Sequence, residues 1–94
     1  MTRDEAIVAL LDALELTTAK AGARYVAECQ EIFESAIAPG EPLPTSWADV
    51  LARVKLLQRQ PRQMEPGKGL DLIKVITPVT YAVDTGTVPF PKLD

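Results

Sequence analysis

Leu70-Asp71-Leu72-Ile73-Lys74-Val75-Ile76-Thr77-Pro78-Val79-Thr80-Tyr81-Ala82-Val83-Asp84-Thr85-Gly86 decides what kind of fold this 94-residue chain can make. Its texture is β-branched and alternating, a composition that suits a pleated, half-buried surface. Read that way, Leu70 to Thr77 and Val79 to Asp84 are two short strands parted by Pro78, and Asp84-Thr85-Gly86 is the turn that ends them. Pro78 has no N–H and confines its segment to a sheet edge or a bulge. An isolated two-stranded unit is marginal in water, so another surface is expected to complete it.

Downstream, Val88-Pro89-Phe90-Pro91-Lys92-Leu93-Asp94 has the composition of an extended polyproline-II arm carrying one aromatic. Upstream, Arg62 to Gly69 is polar and contains proline and glycine, and reads as a linker. The helix before it starts after Pro44, with Thr45 or Ser46 as N-cap and Asp49 in the first turn, and ends at Pro61. Trp47, Val50, Leu51, Val54 and Leu57 form its inward stripe. At 100° per residue Leu56 points about 180° from Trp47, alongside Ala48 and Ala52, and this second strip is expected to be covered by residues 70–83.

At the other end, Thr2-Arg3-Asp4-Glu5 reads as a capping box. Apolar or small residues then recur at steps of three and four from Ile7 through Leu11, Leu14, Tyr25, Cys29 and Ile32 to about Ala38, where Pro39-Gly40 stops the pattern. The run Thr17 to Gly22 weakens helix propensity. A break there lets Ile7, Leu10, Leu11 and Leu14 fold back on Tyr25, Ile32 and Phe33 and bury more apolar area than one straight helix. The expected fold is mainly α: two to three helices (about 3–38, as one helix where a partner covers its stripe or as two where it breaks near 17–22, and 46–60) with a short β-like, extended C-terminal arm over 70–94. It forms a single domain of a helical body (1–61), a linker (62–69) and the arm (70–94).

Composition narrows the chemistry. Histidine and asparagine are absent and Cys29 is the lone thiol, which removes most catalytic and metal-binding designs. No internal disulfide is possible and no signal-like segment is seen, so a cytoplasmic setting, or a virion, is expected. No apolar run approaches the length of a membrane span. Twelve alanines with no asparagine point to a GC-rich bacterial or viral gene. Residues 1–45 carry three basic and eight acidic side chains, net −5, whereas residues 46–94 carry seven and five, net +2.

Three motifs carry some chemical signal. Val83-Asp84-Thr85-Gly86 resembles the catalytic tripeptide of aspartic proteases and its apolar lead-in, and that resemblance implies a homodimer in which two Asp84 carboxylates share one proton. Only ten residues follow Asp84, too few for the flap and the second apolar strand and helix that follow the catalytic loop in that family, so the favoured reading is a turn using positive φ at Gly86. Pro66-Gly67-Lys68-Gly69 resembles the end of a phosphate loop but lacks the earlier glycine and the following Ser or Thr. Cys29 has no histidine to activate it and reads as a packed thiol, and the helical glutamates read as a solvated face.

The basic side chains Arg53, Lys55, Arg59, Arg62 and Lys68 could meet phosphates. With Trp47 at zero, Lys55 and Arg59 fall near 80° and 120° but Arg53 near 240°, so they flank the stripe and do not make one face. The sequence therefore favours a non-enzymatic interaction or assembly subunit, most concretely a bacteriophage virion or connector component. Its partner is another protein or a second copy, contacted through Leu56, Tyr81, Val88 and Phe90. No cofactor, metal, small-molecule substrate or membrane is expected. The alternative is a small regulator: a protein inhibitor capping its partner, or a helix-turn-helix-like repressor binding DNA through residues 53–68.

Overall fold

The computed structural model describes residues 1–59 and 71–93. Helix α1, Arg3–Ala13, opens on the expected capping box: Thr2 Oγ1 accepts from the Glu5 N–H at 3.2 Å, and the Thr2 N–H donates to Glu5 Oε1 at 3.0 Å. The helix ends well before residue 38. Its last turn closes as a Schellman motif, in which the Glu15 N–H bonds to Asp12 O at 3.0 Å and the Leu16 N–H to Leu11 O at 2.9 Å. Glu15 takes the left-handed conformation, φ 60°, where glycine is usual. Leu16 and Leu11, the apolar pair that accompanies this motif, are both buried.

A four-residue helix α2, Thr18–Ala21, follows, and the chain then turns at Gly22, whose φ of 87° with ψ of 148° is accessible to glycine and costly for other residues. Helix α3, Ala23–Ala36, runs back along α1. Arg3 joins the far ends of the pair by donating from Nε to Ile37 O and from Nη2 to Glu34 O, each at 2.6 Å. Those carbonyls belong to the last turn and the cap of α3, which have no helical donors of their own. The break expected between Thr17 and Gly22 is present and is wider, beginning at Leu14.

Helix α4, Trp47–Leu57, is capped by Ser46, whose Oγ accepts from the Asp49 N–H at 3.1 Å. Arg53 is held on the same helix by Asp49 at 3.2 Å and reaches Pro42 O at 2.7 Å, tying the preceding loop down. The expected end of this helix at residue 60 and the linker 62–69, with Arg62 and Lys68, lie outside the described residues.

The largest correction concerns the stretch that decides the fold. Ile73–Thr85 is helix α5, and no strand occurs among the described residues. Leu72, Val75, Val79 and Ala82 are buried at steps of three, four and three, which is the helical period. β-Branched residues disfavour a helix by only a few tenths of a kcal/mol each, and burial of this stripe against α4 outweighs that. Pro78 sits within the helix on a half-buried flank. Gly86, left-handed at φ 65°, caps the end and donates to Ala82 O at 3.2 Å. The positive φ expected at Gly86 is therefore present, but it ends a helix instead of a strand.

Among the described residues five helices replace the two to three expected, and the extended arm shrinks to the residues after Gly86. That arm packs on its own chain. Trp47 Nε1 donates to Val88 O at 2.9 Å, the Phe90 ring meets the Trp47 indole edge-on with centroids 5.1 Å apart, and Leu93 is buried. The core, built around Ile7, Leu10, Ile32, Phe33, Val50, Val54, Val75 and Val79, contains no buried charged or polar side chain among the described residues.

Candidate functional site

The exposed side of α5 faces an open groove of about 960 Å³. One long wall is Ile73, Thr77 and Tyr81, spaced four residues apart so that they form a single ridge along the helix, with Lys74 and Pro78 beside them. The turn after α1, Ala13 to Leu16, makes the facing wall, and Thr87 to Pro89 close one end. Tyr25 reaches in from α3. Ile73 and Tyr81 are each 59% exposed, although both are large and apolar-bodied.

The charges around the groove are mostly satisfied within the chain. Lys74 pairs with Glu28 and stands 5.3 Å from the centroid of the Tyr25 ring, and Glu15 is held by Lys20 at 2.9 Å. Burial, with Cys29 and Asp71 nearby, pushes the Tyr25 phenol up, so it remains a neutral hydrogen-bonding group at physiological pH. The surface left exposed in the groove is therefore mainly apolar.

The structure distributes the sequence-derived candidates among different places. Tyr81 lies in the groove. Val88 also lines it, while its carbonyl accepts from Trp47. Phe90 is half-buried on Trp47 and borders a second cavity of about 620 Å³ against Leu43 to Thr45. Leu56 is 56% exposed on α4, so the expected cover from residues 70–83 is absent: α5 lies on the buried flank of α4 and leaves the strip of Ala48, Ala52 and Leu56 open. Lys55 and Arg59 are exposed beside Leu56, whereas Arg53 is engaged by Asp49 and Pro42.

The protease-like tripeptide is the end of a helix. Asp84 is exposed on the last turn of α5, and Thr85 Oγ1 donates to Tyr81 O at 2.8 Å. Cys29 is fully buried and burial pushes its thiol up, away from thiolate character. No group of three metal-ligating side chains occurs among the described residues. No described helix is long and apolar enough to cross a membrane.

Ile73, Pro78, Leu14 and Tyr25 are the groove residues that sequence reasoning missed. A helical period sets Ile73 and Pro78 on the same helix side as Thr77 and Tyr81, whereas Leu14 and Tyr25 enter from other elements and carry no such local signal. No family model matches the chain, and neither a curated protein nor a solved structure matches it significantly.

Proposed function

We propose that this chain is a non-enzymatic protein–protein interaction or assembly subunit that receives an apolar segment of a partner along the α5 groove. The observation that carries this reading is the pair Ile73 and Tyr81, more than half exposed at the two ends of one helical ridge inside a walled depression. Exposed apolar groups gathered in a concave site mark binding surfaces, and tyrosine is among the residues that dominate interface energetics. An amphipathic helix laid into such a groove is a common recognition mode. The concrete forms of this role are a virion or connector component, in which many copies assemble, and a small inhibitor that caps one partner through the same groove.

Purification of tagged chain from its native cells, beside Ile73→Asp and Tyr81→Asp variants, tests the proposal. A stoichiometric partner retained by the wild type and lost from both variants is expected. The same set of proteins with all three chains refutes the groove as the binding site. A one-to-one complex favours the capping form, and a higher-order particle favours assembly.

A further inference from the structure

We infer that the outward faces of α1 and α4 are complementary and that a second copy of this chain docks one onto the other, head to tail. On α1, Asp4, Val8 and Asp12 stand four residues apart on the exposed side, with Glu5 beside them and Met1 at the end. Val8 is 51% exposed and Met1 53%. On α4, the small residues Ala48 and Ala52 lead to Leu56 along an equivalent ridge, flanked by Lys55 and Arg59, all exposed. One face is thus acidic around an apolar centre, and the other is basic around an apolar centre with room for close approach.

These charges are poorly used among the described residues. Asp12, Lys55 and Arg59 have no ion-pair partner among the described residues, and Asp4 has only a 3.8 Å contact with its neighbour Arg3. Helix α3 packs against both α1 and α4, and the outer faces of those two helices are left exposed. Within one copy the two faces do not cover each other. Contact between unlike faces of successive copies is heterologous, and it propagates as a closed ring or an open filament according to the rotation between neighbours. The inference deepens the assembly reading but uses none of the groove residues, so each can fail without the other.

Sedimentation equilibrium of the full chain tests it, over chain concentrations from about 10 μM to about 1 mM at low and at high salt. The wild type is expected to exceed one chain's mass at low salt and to fall toward it at high salt. The double variants D4K/D12K and K55E/R59E, checked for native helicity by circular dichroism, each carry one net sign of charge on both faces. Each alone is expected to associate at least about tenfold more weakly, and an equimolar mixture is expected to restore association, because every face then meets its opposite. Should a double variant lose its helicity, Val8→Lys and Leu56→Glu place the wrong sign of charge on each face singly and are expected to weaken association likewise. A wild type that is monomeric throughout, variants that associate as well as it does, or folded variants whose mixture stays monomeric would each overturn the inference.

Discussion

Replacing Phe90 with alanine separates an arm held on its own chain from an arm that waits for a partner. A phenylalanine buries roughly 150–250 Å² when fully enclosed. Phe90 is partly buried, and about two-thirds of that area at ~25 cal/mol per Å² comes to about 3 kcal/mol. This is an upper figure because unfolded chains already hide some apolar area. The edge-on pair with Trp47 adds about 1 kcal/mol. A terminal segment can also detach by itself, so the loss in global stability cannot exceed the free energy with which the arm docks. We therefore expect Phe90→Ala to cost about 2–3 kcal/mol, and to lower the midpoint of thermal unfolding by roughly 10–20 °C for a domain of this size. The chain's one tryptophan gives a local readout: freed from Val88 O and from the Phe90 ring, Trp47 emission should move to the red at temperatures where helicity is intact. Both changes should be independent of protein concentration, as an arm packed in cis requires. Unchanged emission together with an unchanged midpoint would refute the docking described above.

The helical period of α5 is checked by charges at two positions that a strand would put on one face. Val79→Asp places an unpaired carboxylate in a fully buried site and should abolish cooperative unfolding, whereas Tyr81→Asp should shift stability by no more than about 0.5 kcal/mol, both followed by urea denaturation. Glu15→Gly should stabilise the chain by about 0.5–1 kcal/mol, because glycine adopts the left-handed position of the α1 Schellman motif without steric cost and the exposed pair with Lys20 contributes little; a loss of stability in the same assay would contradict this. Cys29 in the folded chain should stay unreactive toward a disulfide reagent at pH 8 while the urea-unfolded chain reacts fully. Because burial raises its pKa on folding, stability is complete below the unfolded thiol value of about 8.5 and declines as pH rises above it.

The groove was legible in the sequence only in part. In the sequence Tyr81 and Val88 are contact candidates as parts of a strand and an arm, and they line the groove as a helix side and its end wall. Ile73 and Leu14 could not be placed there, since one depended on the period of α5 and the other on where α1 stops. Leu56 carried a correct angular signal: it does point away from the core, and nothing among the described residues covers it.

The helix start at Thr2 was determined by the sequence alone, the start at Thr45 or Ser46 to within one residue, and the end of the helix ahead of Pro39-Gly40 to within two. Each depends on side chains within three or four residues of the backbone groups they satisfy, so a short window holds all the information. Composition likewise determined that the core had to be built without histidine, disulfide or paired cysteines. Tertiary structure decided the rest. A β-branched stretch containing a proline became a helix because Val75, Val79 and Ala82 meet α4 at helical spacing. Glu15 accepts a left-handed backbone because Leu16 must return to the core, and the proline-flanked arm lies down because Trp47 presents an indole N–H and a ring to it. In all three, the favourable term comes from burial against residues distant in the chain, and it exceeds a local preference of at most a few kcal/mol.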